Sequence, residues 1–267
     1  MSTPASPHIA RLLALLAIVA ALAVWQRPPG TLQIFFPTLK GDAAIIQLPG
    51  GETILLDGGG DPAALLTALG RHMPFWQRSL AAVIASDDDS DRLPGQVAAL
   101  ARYCPRASYV AVASRRGAQA REHERLLGVC GKPARQLSAG MVLRFGAVSL
   151  AVLGFAADGG AILRLTYGAR SVVFAQASAS EELARAAQTD LLVFPWDRDP
   201  HTPLVLALRP RAMLLTDGTS LDHPARLTYL DRAVGGARLY HERIDGDLTY
   251  ISDGRSWKIV TAPSARP

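Results

Sequence analysis

Twice along its length the chain passes from short β-type runs into alternating strand and helix segments, and few architectures accommodate that order. "LQIFF", "AAIIQL" and "TILLD" come first, with a turn at Pro49, Gly50 and Gly51 predicting a hairpin between the second and third. "DPAALLTALGRHM" then has helical periodicity, Asp61 serving as N-cap and Pro62 taking the first helical position. "LAAVIA" reads as a buried strand, "RLPGQVAALARY" as a helix, "ASYVAVA" as a strand and "GAQAREHERLLGV" as a helix. From Gln136 to Phe174 the texture returns to short strands separated by glycine turns. Strand and helix resume through "SEELARAAQ", "DLLVFP", "TPLVLAL", "RAMLLTDG" and "HPARLTYLDRAV", and "ARLYHERIDGDLTYISDGRSWKIV" reads as a closing β run. No low-complexity linker interrupts this order, so one domain is expected from about Thr31 to Ile259. Two similar halves, each a sheet with helices outside, predict an αββα sandwich of the α/β (α+β) class.

The chemistry concentrates at "VIASDDDSDRLPGQ". Asp87, Asp88, Asp89 and Asp91 fall within five positions at the end of a buried strand, and Arg92 follows. Carboxylates packed this closely repel one another unless a cation or protons neutralise them. Ligand sites in open α/β sheets collect at the carboxyl ends of strands, which is where this cluster lies. The plainest alternative is an acidic loop whose carboxylates favour the positive end of the following helix.

The N-terminus carries a different signal. Leu12 to Trp25 is continuously apolar between Arg11 and "QRPPG", which predicts a membrane anchor or, with Ala21-Leu22-Ala23 as a cleavage pattern, a secretory signal. Either reading exports the remainder, as a membrane-anchored extracytoplasmic domain or a secreted one. The expected division is residues 1–27 as anchor or signal segment, 28–262 as the domain and 263–267 as a tail. Cys104 and Cys130 have no Cys-x-x-Cys spacing, which argues against a zinc or redox motif; a disulfide and two buried thiols both remain open. The net charge of +5 is carried almost wholly by scattered arginines, since Lys40, Lys132 and Lys258 are the only lysines. Scattered arginine is not a nucleic-acid footprint by itself. Neither a Gly-x-Ser-x-Gly elbow nor a phosphate-loop motif occurs.

The segments "LKGDAAIIQLPGGETILLDGGGDP", "HMPFWQRSLAAVIAS", "DHPARLTYLDR" and "YISDGRSWKI", behind an apolar segment and a Pro-rich joint, resemble the metallo-β-lactamase fold. In particular they resemble the exported C-terminal domain of ComEC-type DNA-uptake proteins. The resemblance spans nearly the whole chain and implies a metal site whose main motif is His-x-Asp-x-Asp-His after a strand. Here that motif falls on Asp87, Asp88, Asp89, Ser90, Asp91 and Arg92, so both histidines are replaced. A later pair of histidines falls on Trp196 and Asp197, and a metal-bridging aspartate falls near Gln176 and Ala177. His223 matches a family histidine. Asp42 and Asp57 fall on positions expected to be structural carboxylates.

Arg92 decides between readings, because a guanidinium stays protonated at physiological pH and repels a dication beside it. The expectation is that Arg92 replaces the metal's charge by pairing with Asp87, Asp89 or Asp91. That gives a degenerate site, a pseudo-enzyme with no cofactor, and a structural or binding role linked to DNA uptake at the membrane. Without the family's channel helices, transport needs a separate membrane channel protein as partner. Arg115, Arg116 and Arg198, in loops at strand ends, are the candidate phosphate-binding residues if nucleic acid is a partner. The alternative is a metal-dependent hydrolase, a phosphodiesterase or nuclease acting on DNA. It would use a rebuilt all-oxygen Mg²⁺ or Mn²⁺ site from Asp87, Asp89, Asp91, Asp197 and Asp199.

Overall fold

Five-residue apolar runs bounded by turns are too short for stable helices and instead pair as strands. β1 (Leu32–Phe36), β2 (Ala43–Gln47) and β3 (Thr53–Asp57) form an antiparallel meander, with Gly51 at φ 86° in the β2–β3 turn. α1 (Pro62–His72) begins as its sequence predicts, Asp61 accepting from the N–H groups of Ala63 and Ala64 at 3.0 Å each. β4 (Ser79–Leu80), β5 (Ala82–Ala85), α2 (Leu93–Leu100), β6 (Cys104–Pro105), β7 (Ser108–Val110), α3 (Ala118–Val129) and β8 (Arg135–Gln136) follow. β3, β5, β7 and β8 are parallel neighbours, and β4 pairs with β6 in a separate ribbon. The structure is a computed structural model and describes residues 30–87, 91–111, 117–156, 159–175, 188–195, 203–216 and 233–262.

The second half repeats the plan. β9 (Val142–Phe145), β10 (Val148–Phe155), β11 (Ala161–Tyr167) and β12 (Arg170–Phe174) are antiparallel. β13 (Leu191–Pro195), α4 (Pro203–Leu208), β14 (Ala212–Thr216), β15 (Ala233–Val234) and β16 (Ala237–His241) come next. β12, β13, β14 and β16 run parallel, and β15 closes that edge antiparallel. After α5 (Glu242–Asp245), the hairpin β17 (Asp247–Ser252) and β18 (Trp257–Ala262) returns to the first sheet beside β1. Each sheet has eight strands among the described residues.

Strands buried on both faces read as continuous apolar runs because alternate residues feed different cores. Ile54, Leu56 and Ile84 of the first sheet meet Leu163, Phe174, Val193 and Leu214 of the second in the central layer. Leu55 and Val83 point the other way, against Leu65 and Leu69 of α1, Leu100 of α2 and Leu127 of α3. Leu192, Met213 and Leu215 do the same against Leu204, Val205 and Leu208 of α4. Each such side chain contributes about 1.5–3 kcal/mol on burial, so the two sheets and their outer helices are held by three apolar layers. The expected αββα order is present.

Three details differ from, or complete, the sequence reading. The closing β run is split by α5, where Gly246 at φ 75° donates its N–H to the Glu242 carbonyl at 2.8 Å and ends the turn. Cys104 and Cys130 are disulfide-bonded across 26 positions, tying β6 to the end of α3. The last strand of the first sheet runs to Ala262. The helices expected at "SEELARAAQ" and "HPARLTYLDRAV", the apolar segment Leu12–Trp25 and the tail 263–267 lie outside the described residues. Among the described residues no helix is long and apolar enough to cross a membrane.

Candidate functional site

Three chain segments converge at the carboxyl end of the first sheet's parallel strands: the β1–β2 loop, the end of β3 and the segment leaving β5. Glycine makes the convergence possible. A Cβ on Gly41 would lie 1.8 Å from the Asp91 carbonyl oxygen, and one on Gly95 would lie 1.8 Å from that of Gly58, so side chains at these positions would push the segments apart. The Gly59 N–H donates to the Asp42 carbonyl at 2.8 Å and the Gly60 N–H to that of Lys40 at 2.7 Å, which closes the loop onto the strand end.

Arg92 occupies the centre. Its Nη1 donates to Asp87 Oδ2 at 2.6 Å, while Nε and Nη2 both reach Asp42 Oδ2 at 3.0 Å. Burial opposes the guanidinium charge, but Asp42, Asp57 and Asp87 outweigh it and raise the Arg92 pKa. The guanidinium is therefore a permanent cation in this setting. Side-chain exposures of 11% for Arg92, 2% for Asp42 and 12% for Asp87 put the triad out of bulk water, where losing one member is far costlier than at a surface.

Asp57 stands beside this triad with its own anchor. The Ser86 N–H donates to Oδ1 at 2.8 Å and the Ser86 hydroxyl to Oδ2 at 2.5 Å. Burial pushes its carboxyl up to about 7, against the lowering effects of Arg92 and of the two Ser86 bonds. Its φ of 55° is left-handed, a conformation that aspartate tolerates better than most residues. Asp57 and Ser86 are 1% and 2% exposed, so the pair is shielded from bulk water.

Arg92 has one of its expected partners and one that was not expected. Arg92 pairs with Asp87 and also with Asp42, which the sequence assigned to scaffold. Asp91 turns outward to Lys40 Nζ at 3.0 Å, a largely exposed pair. The N-cap of α2 is Arg92, with no side-chain cap bond. Asp88, Asp89, Arg115, Arg116, Asp197, Arg198, Asp199 and His223 lie outside the described residues.

Sequence reasoning passed over Gln96 and His123. Gln96 Nε2 donates to the Ile84 carbonyl at 2.7 Å, which leaves its Oε1 as acceptor for His123 Nε2 at 2.9 Å and fixes the proton on that nitrogen. Both side chains are fully buried, locking α2 and α3 onto the end of β5. The available signal was a polar residue on the apolar face of each helix.

A metal ion does not fit the described donor set. The volume between Asp42 and Asp87 is filled by a protonated guanidinium within 3.0 Å of both, and a dication placed there would meet that charge directly. Among the described residues no three His, Cys, Asp or Glu side chains are grouped to hold a metal. What the arrangement does is bind three segments of backbone into one charge-compensated knot.

The sequence matches no family model and no curated protein. Solved structures do match. The metallo-β-lactamase fold protein YhfI from Bacillus subtilis is 16% identical, with 70% of this chain and 86% of that one covered at a TM-score of 0.52. A diphosphatase of the PhnP family is 12% identical, with 75% and 81% covered at a TM-score of 0.50. The chain therefore has a metallo-β-lactamase-like fold.

Proposed function

We propose that this is a ComEC-like domain in which Arg92 has taken the place of the metal, leaving a non-catalytic protein with a structural or binding role in DNA uptake at the membrane. The observation that carries the reading is the position of Arg92. It bridges Asp42 and Asp87 at the strand end where the resemblance locates the metal motif. A fixed cation neutralises the carboxylates but offers no open coordination position, no lowered water pKa and no Lewis acidity. The fold persists because the charge is balanced, and the hydrolytic chemistry is lost. The N-terminal apolar segment supports membrane attachment with the domain exported. Arg115, Arg116 and Arg198 are the groups to engage nucleic-acid phosphates, and a separate channel protein is the expected transport partner.

One observation favours a second reading, a metal-dependent hydrolase with a rebuilt Mg²⁺ or Mn²⁺ site. Asp42 Oδ1 is buried without a hydrogen-bond partner, an acceptor that a water or cation could use, and one structural neighbour is a diphosphatase. The test is cleavage of labelled single-stranded DNA by the full chain with Mn²⁺ or Mg²⁺, alongside DNA binding by fluorescence anisotropy. The first reading expects no metal-dependent cleavage in the parent and no change with Asp87→Ala. Metal-dependent cleavage abolished by Asp87→Ala would establish the second. DNA binding weakened by Arg115→Ala/Arg116→Ala would add the nucleic-acid partner to the first.

A further inference from the structure

The end of the first sheet opposite the Arg92 knot has a different surface. Phe75 is 83% exposed and its neighbour Trp76 is 50% exposed. Single exposed apolar residues are ordinary, but two adjacent aromatics projecting together are not. Their rings pack edge to face at 4.8 Å, and hydrogen bonds of Gln77 tie the turn that carries them to the start of β3. The Gln77 N–H donates to the Pro74 carbonyl at 2.9 Å, and Gln77 Nε2 reaches the Ser79 carbonyl at 3.1 Å and Thr53 Oγ1 at 3.3 Å.

Strand register fixes where this turn sits relative to the chain's entry into the domain. Thr53 pairs with Gln47, and Gln47 pairs with Gln33 at the start of β1. The Tyr167 hydroxyl donates to the Gly30 carbonyl at 3.3 Å on the same rim. Four residues, Gln26 to Pro29, separate Gly30 from the apolar run ending at Trp25, so even fully extended chain keeps the rim within about 18 Å of that run. Arg78, two positions after Trp76, is exposed, as is Arg102, two positions before Cys104, which pairs with Ser79 in the β4–β6 ribbon; Arg255 is exposed on the same rim, in the β17–β18 turn three strands from β3. Aromatic rings with arginine around them suit the boundary between acyl chains and anionic headgroups, where rings settle at headgroup level and guanidinium groups meet phosphates.

We propose that this rim docks on the headgroup region of a lipid bilayer through Phe75 and Trp76, holding the Arg92 end of the sandwich away from the membrane. The inference rests on the reading of Leu12–Trp25 as a membrane segment, and Trp25 allows the two to be tested separately. The full chain would be reconstituted in phosphatidylcholine–phosphatidylglycerol vesicles with brominated acyl chains, which quench tryptophan on contact. Parent, Trp25→Phe and Trp76→Phe are compared after thermal unfolding confirms that each folds. Docking predicts that Trp76→Phe removes a distinct part of the quenchable fluorescence, and that Phe75→Ser reduces quenching of Trp76. A parent and Trp76→Phe chain quenched to the same extent would overturn it, since Trp76 would then face solvent or a protein partner instead of lipid. If Trp25→Phe alone loses quenching, the anchor stands and the docking surface falls. If Trp76→Phe alone does, the rim binds lipid and the anchor reading falls.

Discussion

Two arginines held by aspartates sit at opposite ends of the parallel strands, and they are built differently. Arg170 opens β12 and pairs with one carboxylate, Asp190, at 3.1 Å, while the other oxygen of Asp190 accepts from the Ser171 N–H at 2.9 Å. That is a one-to-one tie between neighbouring strands. Arg92, at the carboxyl end, is shared by Asp42 and Asp87, with Asp57 adding to its field. Among the described residues acidic groups outnumber the cation there, which the assembly of one strand end does not require. An excess of carboxylate around a single positive centre is the electrostatic form of a cation site, with a side chain as the cation.

The largest effects are expected on removing each arginine. Arg92→Ala removes the cation shared by two buried carboxylates, and a loss of about 3–5 kcal/mol in urea unfolding is expected. Equal losses in Arg92→Ala and Arg170→Ala would erase the distinction between the two ends. Next in size is a pH effect. Asp57 carries a carboxyl raised from 3.8 to about 7, so between these values the folded chain holds a proton that the unfolded chain has released. Stability is thus highest below about pH 4 as far as this group is concerned, and falls as pH rises towards 7, by no more than about 4 kcal/mol. Asp57→Asn keeps an acceptor for the Ser86 N–H and should flatten that slope; an unchanged slope would remove Asp57 from the account.

Arg170→Ala, which strips one partner from a part-exposed pair, is expected to cost about 1–3 kcal/mol. The smallest effect is expected outside the knot. Lys40→Ala breaks an exposed pair with Asp91, and a change below about 1 kcal/mol is expected. A larger loss would mean that Asp91 belongs to the buried cluster.

Local signals were legible in the sequence and distant ones were not. The Asp61 cap and the β2–β3 hairpin follow from residues a few positions apart. The chain neighbours of Arg92 point to Asp87, which is among its partners, but Asp42, fifty positions earlier, is another. No spacing rule could select Asp42, because the choice depends on the loop that Gly41 lets close against Asp91. Lys40 on the same loop draws Asp91 away. Gln96 and His123 were missed for the same reason, since their bond links two helices that meet only once the sheet has formed. The short α5 was hidden inside a β-like composition, although Gly246 after "ERID" carried its stop signal.

Calorimetric titration of the full chain with Zn²⁺ and Mn²⁺ decides whether the Arg92 guanidinium stands in place of a metal. The account predicts no site-specific heat in the parent chain. A stoichiometric binding isotherm in the parent that disappears in Asp87→Ala would contradict it, because Asp87 would then be a metal ligand and not the partner of Arg92.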